Sequence, residues 1–239
     1  MKLNIALLAG DGIGPEVIDQ AVKVSNAIAK KFNHQISWVK ALTGAAAIDA
    51  VGDPYPEETH QICLNADAIL FGAIGDPKYD NDPSAKVRPE QGLLKMRKKL
   101  GLFANVRPTF VFPSLLNKSP LKKDIIEGTD LVFLRELTGR IYFGERGRLN
   151  NGETAYDTCT YTRSEVKRIA AKGFNMAMKR SKKLCCVDKA NVLESSRLWR
   201  ETVQSMEKDY PEVTVSYEFV DAVAMRLVQW PKSYDVLIT

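Results

Sequence analysis

The sequence predicts an α/β protein: a mostly parallel sheet domain, then a second α/β domain carrying an antiparallel arm. Three observations predict it. Short apolar runs alternate with segments of helical period, as strands joined by helical crossovers require. After Gly101 the pattern changes to turn-linked strands with partial alternation. The composition, 45% hydrophobic and 26% charged over 239 residues, supplies a core for one large or two smaller domains. The expected domains are 1–101 and 102–239.

Each element follows from its local pattern. Residues 3–9 read as a buried strand that ends in glycine. Gly10, Gly12 and Gly14 turn the chain, and Pro15 suits a first helical position. Val17, Ala21, Val24 and Ile28 then keep helical period, predicting an amphipathic helix over 15–32. A strand is expected over 36–39, helices over 43–51 and 57–65 around a loop at 53–56, and a strand over 68–73. Gly, Pro and Asp crowd residues 72–89, which read as one long functional loop. A helix follows over 90–100, stopped by Gly101. In the second domain, strands are expected over 131–135, 140–143 and 153–162. Helices over 164–180, 193–208 and 221–229 then alternate with strands over 183–187, 213–219 and 235–239. The chain stops on that last apolar strand without a closing element, so a C-terminally truncated fragment is expected.

Several function classes are excluded by composition. Cys63, Cys159, Cys185 and Cys186 form no CxxC pair, which fits reduced thiols in a cytoplasmic protein better than a disulfide framework or zinc site. His34 and His60 are too few for histidine-based metal chemistry. No apolar run is long enough to span a bilayer. The net charge of +5 is scattered over helix faces without aromatic interleaving, so neither a nucleic-acid nor a membrane partner is expected.

The candidate chemistry lies in five stretches. GDGIGPEV at 10–17 reads as a nucleotide loop or as a tight strand-to-helix turn. Glu90, Leu93, Leu94 and Arg97 share one helical face, either a ligand surface or ordinary packing with a surface ion pair. Arg107 and Arg135 sit at the ends of apolar runs, where burial would demand an anionic partner. Such arginines suit a small dianion, since the guanidinium fork grips a carboxylate bidentately. Tyr142 lies in RIYFGE, seven residues after Arg135, where its plain reading is a core or interface aromatic. Lys189, next to Asp188 at a strand end, is a tuned base or a solvated lysine. Asp221 opens a helix as an N-cap or serves as a ligand for a hard cation.

GDGIGPEV, RPEQGLLKMRKKLGLFANVRP, RELTGRIYFGE, VDKANVLE and YEFVDAVAMRLV occur in the order seen in 3-isopropylmalate dehydrogenases. The chain thereby resembles the β-decarboxylating dehydrogenases, the family of the isopropylmalate, isocitrate, homoisocitrate and tartrate enzymes. The resemblance implies the isocitrate/isopropylmalate dehydrogenase-like fold, with 1–101 as the N-terminal half of the cofactor-side domain and 102–239 as an incomplete dimerisation and substrate domain. It implies that Arg97, Arg107 and Arg135 hold the malate carboxylates and hydroxyl, and that Tyr142 and Lys189 form the catalytic pair. It implies Asp221 as one of three aspartates around Mg2+ or Mn2+. Glu90, Leu93 and Leu94 match positions facing the isopropyl group and the nicotinamide, while Gly75, Asp76, Glu90 and Asn191 fall on the NAD side. Asp76 stands where the family usually has glycine. The leucines favour an isopropyl-bearing substrate over isocitrate, because an apolar pocket cannot satisfy a buried carboxylate. The resemblance further implies a homodimer with shared active sites and leucine biosynthesis as the setting. A chain lacking two metal aspartates is expected to be inactive alone. The alternatives are a noncatalytic dimerisation fragment, or a tartrate- or homoisocitrate-type dehydrogenase.

Overall fold

The apolar run after Met1 forms strand β1 (Lys2–Gly10), and the glycine turn delivers the chain into helix α1 (Gly14–Lys31) with proline in its first turn. The structure is a computed structural model that describes residues 1–82, 84–139 and 141–239. Contacts divide the chain into two units, Met1–Gly101 and Leu102–Thr239. The first unit continues with β2 (Gln35–Lys40), α2 (Ala45–Val51), α3 (Glu57–Leu64), β3 (Ala68–Ala73), α4 (Pro77–Asp80) and α5 (Pro89–Lys99). Its sheet has the order β2-β1-β3, with both pairings parallel. Ala6 and Leu8 project from one face of β1 onto Tyr55, Cys63 and Met96.

Two expectations are corrected in this unit. The stretch 72–89 is not structureless, since α4 forms inside it. The helix after the glycine turn exists, but its predicted apolar stripe does not face the described sheet. Val17, Val24 and Ile28 are exposed, whereas Ile18 and Ala29 are buried. Ile18 lies against Gly72, which leaves room for it on β3.

The second unit comprises β4 (Ala104–Phe110), α6 (Lys123–Ile126), β5 (Asp130–Glu136), β6 (Arg146–Leu149), β7 (Thr154–Asp157), α7 (Arg163–Met178), β8 (Lys183–Asp188), α8 (Glu194–Met206), β9 (Thr214–Phe219), α9 (Val220–Gln229) and β10 (Val236–Ile238). Its sheet runs β4-β5-β10-β8-β9; only the β4–β5 pairing is antiparallel. The run LCCV in β8 is continuous because both faces of the strand are covered. Leu184 and Cys186 join Leu134, Phe174, Val203 and Ile238 on the α7–α8 side. Cys185 and Val187 join Leu131, Val223 and Leu237 on the other. Burial pushes both thiols up, that of Cys185 to about 11, so they are packing groups and not nucleophiles.

The arm is a two-stranded antiparallel hairpin of β6 and β7. It corrects two expected strands. Residues 141–143 form a turn, while Arg140 lies outside the described residues. The strand expected over 153–162 is confined to Thr154–Asp157, paired with the unforeseen β6. Strand β4 was likewise unforeseen, and the reason is physical: its residues are largely exposed at a sheet edge and include Pro108.

Candidate active site

Two strand ends of the second unit are built alike. At the end of β5, Glu136 is fully buried and turns into the protein. It accepts from the Thr138 and Gly139 backbone N–H groups at 2.8 and 2.7 Å, from the Thr138 hydroxyl at 2.7 Å and from Arg168 of α7 at 2.9 Å. These bonds fix the turn that follows Arg135. At the end of β8, Asp188 is held bidentately by Arg200 of α8, at 2.7 and 2.9 Å, and accepts from Ala190 N at 2.9 Å. Arg197 also reaches the Ala190 carbonyl at 3.0 Å. Two arginines of one helix thus hold the loop that carries Lys189.

Alternation points the neighbouring residues the other way. Arg135 guanidinium stands over the Tyr142 ring, 5.9 Å from its centroid, and its Nη2 is 3.5 Å from the phenol oxygen. Among the described residues, Arg135 Nε is buried without a hydrogen-bond acceptor. An orphaned cationic N–H is an invitation to an anion. Lys189 Nζ lies 2.6 Å from Asp221 Oδ1 and 5.6 Å from the Phe219 ring centroid. The hydrogen bond from Lys189 holds the Asp221 carboxyl below its ordinary value. The partner of Lys189 is therefore Asp221, not the adjacent Asp188. Asp221 does not cap α9 either: Phe219 occupies the cap position. Arg135, Tyr142 and Lys189 line one cavity of about 290 Å3, with Asp188, Tyr161, Trp199 and Thr239 also in its wall. Asn191 is exposed on the same loop as Lys189.

Arg107 departs from the expectation of burial. It is exposed, and its Nε donates to Asn105 at 2.6 Å. Asn105 pairs with Arg135 across β4–β5, so Arg107 lies on the same sheet face one step along.

The first unit carries the remaining candidates. Helix α5 sits close on Pro54 because residue 92 is glycine; a Cβ there would lie 2.4 Å from the Pro54 carbonyl oxygen. Leu93 packs against the unit's core, whereas Leu94 is not part of that cluster. Arg97 follows one turn later and is half-buried. Glu90 is exposed at the start of α5, and a Cβ on Gly75 would stand 3.1 Å from its Oε1. Asp76, the departure from the family's usual glycine, caps α4 by accepting from Lys78 N at 2.9 Å. Asp11, inside the glycine turn, accepts from the backbone N–H groups of Ala45, Ala46 and Gly75. A carboxylate so placed supports the reading of that stretch as a tight strand-to-helix turn.

The residues present do not by themselves fit a divalent cation. Among the described residues no group of three or more His, Cys, Asp or Glu could hold a metal, and Asp221 is one carboxylate already paired with Lys189. Hard cations take about six oxygen ligands. Gly75 and the exposed Glu90 fit the polar edge of a dinucleotide, offering close backbone approach and a hydrogen-bond acceptor. Sequence reasoning missed Glu136, Arg168, Arg200 and Asp11. For Glu136 the signal was an acid closing an apolar strand directly before Thr-Gly; the arginines sit on helices with no local pattern to mark them.

The isocitrate/isopropylmalate dehydrogenase family matches residues 4–239. The chain is a member of that family. Among its curated relatives, the 3-isopropylmalate dehydrogenase of Bacteroides fragilis is 59% identical over 239 residues, covering 100% of this chain and 67% of the relative. That of Bacillus subtilis is 49% identical over 243 residues, covering 100% of this chain and 66% of the relative. The chain of this family member thus spans about two thirds of the relatives it matches. A crystal structure of isocitrate dehydrogenase from Methylococcus capsulatus superposes with a TM-score of 0.85 at 30% identity, covering 99% of this chain and 66% of that one. The β-decarboxylating dehydrogenase of Thermococcus kodakarensis gives 0.74 at 30% identity, covering 99% and 63%. No helix among the family member's described residues is long and apolar enough to cross a membrane.

Proposed function

We propose that the chain belongs to an enzyme that oxidatively decarboxylates 3-isopropylmalate with NAD, in leucine biosynthesis in the cytoplasm. The observation that carries this reading is the cavity where Arg135, Tyr142 and Lys189 meet, with an unsatisfied guanidinium N–H in its wall. In this reading Arg135, with Arg107 on the same sheet face, grips the substrate carboxylates. Lys189 serves as the proton acceptor for the C2 hydroxyl, its amine directed by Asp221. Gly75, Asp76 and Glu90 of the first unit would hold NAD, which when bound would supply the hydride acceptor. Tyr142 then donates the proton that completes the product after carbon dioxide departs. The apolar Leu94, with Leu93 beside it on α5, favours the isopropyl group over a third carboxylate. Asp221 would supply a single ligand toward Mg2+ or Mn2+.

The proposed unit is a homodimer that shares its sites. Exposed Val220, Met225 and Val228 on α9, followed by exposed Trp230, support an apolar contact there. The same residues favour the second reading, a noncatalytic dimerisation module. NADH absorbance with 3-isopropylmalate, NAD and Mn2+, followed for this chain and for the chain extended to its relatives' full length, separates the two. Turnover by the extended chain that is lost in Tyr142→Phe supports the enzyme. Calorimetric binding of neither 3-isopropylmalate nor a related malate would remove the substrate-site reading altogether.

A further inference from the structure

We infer that Asp11 is a positioning residue: its carboxylate anchors Gly75 and thereby the start of the loop 75–89 beside Glu90. The inference rests on the proposed reading of that loop as part of the cofactor side. Asp11 is 5% exposed. Its Oδ2 accepts from Ala45 N at 2.9 Å and from Gly75 N at 3.0 Å, and its Oδ1 accepts from Ala46 N at 3.0 Å. Its own N–H donates to the Ala73 carbonyl at 2.8 Å. Three segments far apart in the chain, the glycine turn, the start of α2 and the exit from β3, therefore converge on one charge.

The surrounding backbone is shaped to this carboxylate. Gly44 has φ +71°, and a Cβ on it would come 2.3 Å from Asp11 Oδ2. Gly10 has φ +72°, and its Cβ would lie 1.9 Å from the Ala73 oxygen. Gly75, at φ +122°, keeps a conformation that L side chains rarely adopt. The bond from Ala45 is buried and those from Ala46 and Gly75 are part-buried, so the charge and these donors hold one another in place. An alanine at position 11 removes both acceptor oxygens, including the Oδ2 that Ala45 N and Gly75 N share. The residue released first would be Gly75, because Ala45 and Ala46 belong to a helix while Gly75 begins a loop.

The test reads the bond and its local consequence in the full chain by NMR. In the unmodified protein, a through-hydrogen-bond coupling is expected between the Gly75 amide nitrogen and the Asp11 carboxyl carbon; its absence overturns the inference. In Asp11→Ala, amide exchange at Gly75, Asp76, Lys78 and Tyr79 should accelerate at least about ten-fold, while Leu8 and Phe71 stay within about two-fold of the parent. Equal acceleration at both sets would make Asp11 a general stabiliser and sink the positioning role, as would unchanged exchange at Gly75. Should the variant not fold, the coupling in the parent still decides. Neither readout needs turnover, so a failed dehydrogenase assay and a failed anchor are told apart.

Discussion

Asp235 shows how a buried charge can be kept by its partners. Burial pushes its carboxyl up, yet bonds from the Ser181 hydroxyl and the Arg180 guanidinium outweigh that, and the net displacement is downward. Arg180 Nε lies 2.6 Å away, and Ser181 N and Oγ lie at 2.9 and 2.5 Å. A depressed carboxylate stabilises the fold above its unfolded value of about 3.9, and that contribution is lost as pH falls through the lower folded value. Asp235→Ala should therefore lower unfolding free energy at pH 7 by about 3 kcal/mol. The deficit should shrink below about pH 4, as denaturant titration at several pH values would show. At the proposed site, in the chain extended to its relatives' full length, Tyr142→Phe should reduce kcat about 100-fold with little change in KM, since the phenol acts after substrate is bound. A parallel rise in KM would instead assign the hydroxyl to binding.

At the scale of elements, the governing feature is how closely α5 approaches its neighbours. Gly92→Ala should force the helix off Pro54, costing about 1–3 kcal/mol and displacing Glu90, Leu94 and Arg97 together. Differential scanning calorimetry and the affinity for 3-isopropylmalate would record both effects; an unaltered Tm would refute the steric argument. Most elements were legible because their burial is one- or two-sided. β8 announces itself in LCCV, and α7 in Thr162-x-x-Glu165, a capping box in which Thr162 N donates to Glu165 at 2.8 Å. β4 was illegible because an edge strand needs no apolar alternation. The direction of α1 was illegible for the opposite reason: apolar residues lie on more than one of its faces, and period alone cannot say which packs. Of the candidate site, Arg135, Tyr142 and Lys189 were legible from strand ends and motifs. Their supports were not, because Glu136–Arg168 and Asp188–Arg200 join residues 32 and 12 apart whose pairing only the fold creates.

For the whole molecule, the prediction concerns association. Size-exclusion with light scattering should report a dimer, and Val228→Asp on the exposed face of α9 should return a monomer; a parent that is monomeric throughout would refute the proposed sharing of sites. The order of strands in the second unit carries a separate implication. β10 lies between β5 and β8, bonded through Val132 N to the Asp235 carbonyl and through Thr239 N to the Leu134 carbonyl, yet it follows both along the chain. On the ribosome, β5 and β8 must emerge with a vacant lane between them, their apolar edges open to chaperones or to neighbouring nascent chains. The sheet can zip shut only once residue 238 has cleared the exit tunnel, so assembly of this half is necessarily late, whatever the speed of its helices.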